Sequence, residues 1–181
     1  GYMLSVISKH NYPDSNSLPQ ESFLDFAKKS LTNTHVISEL DPQKISEINY
    51  LFYKYKDFLP KTNSQLVHGV FDPANILVKK KNGSWKVSAI LDWEFSFSGS
   101  TLYDVANMLR YAHHMPLEFS SAFIKGLQDN NFILPHNWLI STHILNIFSL
   151  LDFLQRPDLQ NKPSQRSDIH QLINHILKEL G

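Results

Sequence analysis

The sequence predicts a mainly α-helical fold of the α+β class, in which helices surround one small β-hairpin. Over most of the chain, apolar residues recur at intervals of three and four, which is the period of one helix face. Between residues 65 and 91 the pattern changes to short apolar segments separated by turn residues, which is typical of strands. The chain has 181 residues, 42% of them hydrophobic, so it can bury the core of one ordinary domain.

The first 64 residues are expected to lead into the hairpin with two helices. A polar, proline-containing stretch at 11–20 is predicted to be a loop. The first helix follows this loop and runs to about Thr32. Asp41 before Pro42 is typical of a helix start, because Asp caps free N–H groups and Pro suits the first helical turn. This second helix is expected to stop at Pro60.

Residues 65–99 are expected to hold the hairpin and the two loops beside it. Apolar segments at 65–67, 76–78 and 85–91 read as strands, and the turn residues at 81–84 join the last two. The final part, 100–181, is expected to be a helical subdomain. Its predicted helices span 102–113, 116–129, 135–155 and 167–180. These three parts, 1–64, 65–99 and 100–181, are expected to form a single domain.

Composition narrows the range of partners. Seventeen Lys and Arg balance seventeen Asp and Glu, so the chain lacks the basic surplus of a nucleic-acid or anionic-membrane binder. A small-molecule or protein partner is expected instead, with neither nucleic acid nor membrane. The absence of cysteine excludes thiol catalysis and thiolate metal sites. No long apolar segment or secretory pattern is present, which favours a cytoplasmic location. The six glycines stand singly and form no glycine-rich phosphate loop.

Two oxygen-bearing side chains flank the predicted hairpin. Asn75 precedes its first strand and Asp92 follows its second. Because a hairpin brings its outer ends together, these side chains are expected to lie side by side. Amide and carboxylate oxygens are ligands that Mg²⁺ accepts, and two of them suffice when an anionic phosphate completes the site. The sequence therefore predicts a site suited to phosphoryl transfer.

The motifs around this hairpin resemble a known family. Segments 68–78 (HGVFDPANILV), 91–95 (LDWEF) and 102–110 (LYDVANMLR) are similar to the catalytic loop, the metal-binding loop and the following helix of the aminoglycoside phosphotransferase and choline kinase family. The resemblance covers residues 66–111 with motif specificity. It implies the C-terminal lobe of a protein-kinase-like fold, with helices around a hairpin that carries both loops.

The resemblance also implies roles for individual residues. Asn75 and Asp92 would bind Mg²⁺ and the nucleotide phosphates, with Glu94 as a further candidate ligand. His68 and Asp104 would support the catalytic loop. The implied enzyme uses Mg²⁺ to transfer the γ-phosphate of ATP or GTP to a hydroxyl of a small-molecule acceptor.

The chain departs from the family pattern at the catalytic base. The residue after the His-Gly pair is an aspartate in the family and Val70 here, and valine can neither accept a proton nor orient a hydroxyl. Asp72 stands two residues further on, where a catalytic role and a loop-capping role are equally compatible with the sequence. Phosphoryl transfer is therefore expected to be impaired.

A second departure concerns the nucleotide lobe. The family's N-terminal lobe supplies a phosphate-covering loop and an ATP-pairing lysine, and neither is visible before His68. The chain is expected to correspond to the C-terminal lobe alone, as a fragment or as a natural truncation, with an N-terminal lobe of the parent protein as its partner. Two functions follow: a kinase-like phosphotransferase, or a non-catalytic, pseudokinase-like binding module.

Overall fold

In the computed structural model, residues 1–11, 23–60 and 64–181 are described. The chain divides into two compact units, one made of Gly1–Leu18 and Pro60–His136, the other of Pro19–Leu59 and Asn137–Gly181. The loop predicted at 11–20 lies outside the described ranges, apart from Asn11. Within those ranges, no helix is both long enough and apolar enough to cross a membrane.

The prediction of a mainly helical fold with a small hairpin is confirmed. In chain order the elements are α1 (Tyr2–Ile7), α2 (Phe23–Leu31), α3 (Thr34–Glu39), α4 (Pro42–Tyr55), β1 (Gln65–Val67), β2 (Ile76–Lys81), β3 (Ser84–Ile90), β4 (Phe97–Gly99), α5 (Leu102–Leu109), α6 (Glu118–Gln128), α7 (Trp138–Leu154) and α8 (Pro163–Leu180). Short 3₁₀ turns at Pro73–Asn75 and Trp93–Phe95 follow the two loops of the candidate site.

The first unit builds the hairpin and its supports. Strands β2 and β3 pair antiparallel, from Ile76 opposite Ile90 to the turn. The turn residues Asn82 and Gly83 have φ angles of 51° and 79°, which match the twist that a two-residue hairpin requires. Strand β1 pairs with β4, and α1 packs against α6. The apolar core of this unit contains Leu4, Ile7, Val67, Phe71, Leu102, Val105, Ala106, Met108, Phe123 and Leu127.

The second unit is a helical bundle around α7. Helix α7 packs against α2, α3, α4 and α8. Its Phe148 ring stacks on Phe52 at 4.5 Å between centroids and meets Phe26 edge-on at 5.4 Å. The other large buried side chains of this unit include Ile48, Leu51, Ile144, Leu145, Ile147, Leu150, Leu151 and Leu154. The long apolar run of α7 is therefore core, because neighbours cover it on several sides.

The helix boundaries partly differ from the sequence-based expectation. The Asp41 carboxylate accepts the Lys44 N–H at 2.9 Å and caps α4 at Pro42, as predicted. Helix α8 begins earlier than predicted, at Pro163, because proline is accepted in a first helical turn. The segment predicted as one helix at 102–113 ends at Leu109 and continues as a separate 3₁₀ turn. Helices α1 and α3, of six residues each, and strand β4 were not predicted.

Candidate active site

The open end of the β2–β3 hairpin brings Asn75 and Asp92 to the same place. Ile76 pairs with Ile90, and the Leu91 N–H donates to the Asn75 carbonyl at 2.9 Å. Asn75 therefore stands directly before the last rung of the ladder on one strand, and Asp92 stands two residues after it on the other. The antiparallel pairing expected from the sequence is present, and it brings the backbones of the two outer ends together.

The Asn75 side chain is held in one orientation. Its Nδ2 donates to the Val70 carbonyl at 2.9 Å. Because the NH₂ group is engaged in this bond, the amide oxygen points away from it and is the atom offered to a cation. An amide oxygen fixed in this way fits a Mg²⁺ ligand.

Asp92 has an unusual backbone conformation. Its φ and ψ angles are 62° and 51°, in the left-handed region, where a residue with a side chain costs about 1–2 kcal/mol. The conformation ends β3 and starts the Trp93–Phe95 turn, and the carboxylate is left exposed. Asp is among the residues that adopt this region most readily, and here the conformation places an exposed carboxylate at the hairpin end.

Asp104 holds the loop that leads to Asn75. We call this segment, with Asn75 as its last residue, the 68–75 loop. The carboxyl is buried, and its two oxygens accept the backbone N–H groups of His68 at 2.7 Å and of Gly69 at 2.9 Å. Burial raises the pKa of Asp104 to about 7, although both N–H groups oppose this rise. These contacts support the loop-bracing role expected for Asp104.

His68 is buried, and its contacts define its protonation state. Its Nδ1 accepts the Val70 N–H at 3.3 Å, so Nε2 carries the proton and donates to the Leu91 carbonyl at 2.7 Å. Burial lowers the pKa of His68, although the Leu91 carbonyl and the nearby charges of Asp72 and Asp92 oppose this effect. Neutral His68 therefore links the two loops through hydrogen bonds at both ring nitrogens.

Val70 presents no proton acceptor at the position where the family carries aspartate. Its backbone is nevertheless tightly fixed. The Val70 N–H donates to His68 and its carbonyl accepts from Asn75. The 68–75 loop is therefore shaped by contacts that do not depend on the side chain of residue 70.

Asp72 caps the 3₁₀ turn that leads to Asn75. Its Oδ1 accepts the Ala74 N–H at 2.8 Å and the Asn75 N–H at 3.3 Å. This is the loop-capping alternative of the two that the sequence left open, since the side chain bonds to the backbone just after it. These hydrogen bonds hold the backbone just before Asn75, the candidate metal ligand, in one conformation.

Glu94 and its neighbour Trp93 have different surroundings. Glu94 is exposed in the turn after Asp92. The Trp93 Nε1–H donates to the Ile90 carbonyl at 2.9 Å, and its ring lies 4.5 Å from the His68 ring. Trp93 thus anchors the segment after Asp92 against the 68–75 loop. Glu94, two residues after Asp92, faces solvent.

Two features of the site were missed by sequence reasoning. The first is Asn107, whose Nδ2 donates to the Gly69 carbonyl at 2.7 Å. No local pattern distinguishes this residue from any other polar residue on a helix. The second is a pocket of about 350 Å³ that runs along the hairpin, from Ile76 and Ile90 at its open end to Trp85 near its turn. Its walls are mainly apolar and include Met3, Phe71, Ile76, Trp85, Val87 and Ile90.

The oxygen atoms of Asn75 and Asp92 fit a Mg²⁺ site only when a bound phosphate group supplies further oxygen ligands. Among the residues that the structure describes, no three His, Cys, Asp or Glu side chains are grouped so that they could hold a metal ion. Asn75 and Asp92 provide two hard oxygen donors. Mg²⁺ in nucleotide sites is held by one or two protein ligands together with phosphate oxygens and water. The pair therefore fits a metal that arrives with a phosphate group.

Comparisons with known proteins point to one family. A family model described as the phosphotransferase enzyme family matches residues 5–138. Among solved structures, aminoglycoside phosphotransferase APH(4)-Ia matches with a TM-score of 0.66 and 14% identity. A thermostable mutant of that protein, in ternary complex with AMP-PNP and hygromycin B, matches with a TM-score of 0.67 and 14% identity. A second mutant complex, with ADP and hygromycin B, gives 0.64 and 15%. At this identity the likeness concerns the fold.

The matches differ from this chain in length. Each of these three structures is matched over 97% of this chain but only 61% of its own length. No curated protein sequence matches the chain. The matched structures therefore extend well beyond the part that this chain spans.

Proposed function

This chain belongs to the phosphotransferase enzyme family, and we propose that it carries the metal-binding part of an enzyme that phosphorylates a hydroxyl of a small molecule. The donor is a nucleoside triphosphate, whose γ-phosphate is transferred. The observation that carries the proposal is the placement of Asn75 and Asp92 at the open end of one hairpin, joined by the Leu91 N–H to Asn75 carbonyl bond. The whole chain would act as the C-terminal lobe of that enzyme.

In this proposal, Asn75 and Asp92 would hold a Mg²⁺ ion together with the phosphates of the nucleotide. The bound metal would neutralise charge on the transferred phosphoryl group. Asn75 contributes an amide oxygen oriented by the Val70 carbonyl. Asp92 contributes an exposed carboxylate. Glu94 is a further candidate ligand, since it follows Asp92 by two residues and is exposed.

The pocket beside the hairpin supports a place for the nucleoside. Its apolar and aromatic walls suit a flat nucleobase, which gains from burial against such side chains. Ile76 and Ile90 belong to its lining, and they stand one residue after Asn75 and two residues before Asp92. A nucleotide with its base in this pocket would have its phosphates close to Asn75 and Asp92. AMP-PNP and ADP in the related complexes favour an adenine nucleotide as donor.

In this proposal, the remaining phosphate-binding groups lie outside this chain, and the acceptor binds to the complete enzyme. We propose that an N-terminal lobe of the parent protein supplies the phosphate-covering loop and the phosphate-pairing lysine. The acceptor is proposed to be a hydroxylated small molecule. Hygromycin B in the related complexes makes an aminosugar the first compound to try.

Val70 favours a second candidate function, a binding module without turnover. The side chain supplies no base, and the Asp72 carboxylate is engaged in capping the turn before Asn75. General-base catalysis contributes about 10²–10⁴-fold, while positioning and metal electrostatics supply most of the rate in phosphoryl transfer. The proposed enzyme is therefore slow. If the missing base abolishes turnover altogether, the chain acts as a binding module.

A thermal-shift titration tests the proposal. The full chain is titrated with AMP-PNP, and separately with a GTP analogue, with and without Mg²⁺. At ligand concentrations about 100 times Kd, binding stabilises the folded state by about 2.7 kcal/mol, a shift of a few degrees. Asp92→Ala should remove the Mg²⁺-dependent part of the shift. Asp129→Ala is the matched control, since Asp129 is an exposed aspartate of the same unit paired with Lys125. No shift in the wild type, or an equal shift in Asp92→Ala, would contradict the proposal.

A further inference from the structure

Helix α5 presents two neighbouring polar side chains to the 68–75 loop. Asp104 and Asn107 are three residues apart and therefore lie side by side on one helix face. Asp104 accepts the N–H groups of His68 and Gly69. Asn107 donates its Nδ2–H to the Gly69 carbonyl at 2.7 Å. Both polar backbone groups of Gly69 are thus bound by α5.

Gly69 requires such a clamp. Its φ angle of +89° lies in the region that side chains disfavour, and a Cβ at this position would collide with the Phe95 carbonyl. Glycine has the widest choice of backbone conformations, so an unsupported peptide at this point would sample several of them. The two contacts from α5 restrict Gly69 to one conformation and fix the plane of the Gly69–Val70 peptide.

Arg110 fixes which way the Asn107 amide faces. Its Nη2 donates to the Asn107 Oδ1 at 2.6 Å. A guanidinium can only donate hydrogen bonds, so the amide oxygen must face Arg110 and the NH₂ group must face Gly69. The orientation of Asn107 is therefore set by its partners at both ends.

The same peptide leads to the candidate metal ligand. Val70 follows Gly69, and its carbonyl is the acceptor for the Asn75 Nδ2 at 2.9 Å. The Val70 carbonyl belongs to the next peptide, so a change in the Gly69–Val70 peptide reaches it through the Val70 backbone torsions and would then release the Asn75 amide. The contacts thus form one continuous series, from Arg110 through Asn107 and Gly69 to Val70 and Asn75.

We propose that Asn107, oriented by Arg110, is a positioning residue that aligns the Asn75 amide oxygen for the metal. The expected effect on Mg²⁺ binding rests on the proposed function, whereas the effect on the orientation of Asn75 does not. Asn107 touches neither the metal nor the nucleotide and acts through the Gly69–Val70 peptide.

The decisive variant is Asn107→Asp. It has nearly the same shape and keeps an acceptor for Arg110, but it replaces the donor to the Gly69 carbonyl with an oxygen. A role confined to holding Arg110 would survive this change, whereas the positioning role would be lost. Asn107→Ala is the second variant and removes both contacts. Asn130→Ala is the matched control, because Asn130 is a partly buried amide of the same unit that donates to Ser5 Oγ at 2.6 Å.

The experiment uses the full ¹⁵N-labelled chain and two readouts. The first is NMR of the free protein, which records amide hydrogen exchange at Val70 and the side-chain NH₂ resonances of Asn75. The second is the Kd of AMP-PNP with and without Mg²⁺. In Asn107→Asp, we expect Val70 exchange to accelerate about tenfold, the loss expected for one hydrogen bond, together with shifted Asn75 NH₂ resonances. The Kd of Mg²⁺·AMP-PNP should rise about tenfold, with no change for AMP-PNP alone.

The outcomes separate the inference from the proposed function. Wild-type Val70 exchange and Asn75 resonances in Asn107→Asp would overturn the positioning role, whether or not nucleotide binds. A changed loop with an unchanged Kd for Mg²⁺·AMP-PNP would also overturn it. Failure of the wild type to bind Mg²⁺·AMP-PNP would overturn the proposed function, and the free-protein spectra would still decide the role of Asn107 in orienting Asn75.

Discussion

Removal of the Asp104 carboxyl should strongly destabilise the unit that carries the candidate site. The side chain is wholly buried, and its two oxygens are the acceptors for the His68 and Gly69 N–H groups at 2.7 and 2.9 Å. In Asp104→Ala, both N–H groups lose their acceptor inside the protein. A methyl group cannot replace either bond.

The size of the effect follows from the two lost contacts. A buried donor left without a partner costs about 1–3 kcal/mol, so two of them cost about 2–6 kcal/mol. Part of this cost is offset, because the variant no longer buries an ionisable carboxyl. We expect the free energy of unfolding to fall by about 2–4 kcal/mol, a large share of the total stability of an ordinary domain.

Urea unfolding followed by circular dichroism measures this loss. Asp104→Asn should lose about 1–3 kcal/mol, since the amide keeps one oxygen but places its NH₂ group against the other N–H. Asp129→Ala, which breaks an exposed pair with Lys125, should change stability by less than about 1 kcal/mol. An Asp104→Ala variant that unfolds with the same slope and within about 0.5 kcal/mol of the wild type would refute the bracing role.

Three further predictions concern the same loop. Gly69→Ala should destabilise the chain by at least about 1–2 kcal/mol in urea unfolding, because alanine disfavours the φ angle of +89° and its Cβ meets the Phe95 carbonyl; a neutral effect would show that the loop has another conformation. Burial raises the pKa of Asp104 from 3.8 to about 7. The stability that this carboxyl contributes is therefore complete below its unfolded pKa and is lost as the pH rises through about 7. The unfolding free energy of the wild type relative to Asp104→Asn should fall between about pH 4 and pH 7, by at most about 1.4 kcal/mol per pH unit, and a rising difference would contradict this. The pKa of His68 is lowered by burial, so its contribution to stability is lost as the pH falls. Both proteins contain His68, and this contribution cancels in the difference between their unfolding free energies. In a complete, two-lobed version of the enzyme, Val70→Asp should raise Mg²⁺-dependent ADP release with an accepted hydroxyl compound by about 10²-fold or more, and an Asp variant no faster than Val70→Asn would show that residue 70 does not occupy the base position.

The hairpin could be predicted from the sequence because its signals are local. Alternating apolar residues and the Asn82-Gly83 turn specify strand pairing, and pairing alone then brings Asn75 and Asp92 together. The N-cap of α4 was predictable for the same reason, since Asp41 acts on a residue three positions away. The resemblance added roles for these residues that spacing alone does not give.

The missed features depend on contacts between distant parts of the chain. Strand β4 has three residues and exists through its pairing with β1, more than thirty residues earlier. Asn107 meets Gly69 across a separation of 38 residues, and its sequence neighbourhood gives no sign of that contact. Helices α1 and α3 have six residues each, too short for a clear apolar period. Sequence alone also left two roles open for Asp72, and its bonds to the Ala74 and Asn75 N–H groups favour capping.

The measurement that tests the central claim most directly locates the metal. Mn²⁺ replaces Mg²⁺ in a complex with AMP-PNP, and its unpaired electrons broaden the NMR resonances of nearby nuclei in the ¹⁵N-labelled chain. If Asn75 and Asp92 hold the metal, their resonances should broaden first, and those of Gly83 at the far end of the hairpin should stay sharp. Asp92→Ala should abolish the effect. Broadening that is absent, or that is centred away from the Asn75 and Asp92 end of the hairpin, would contradict the account.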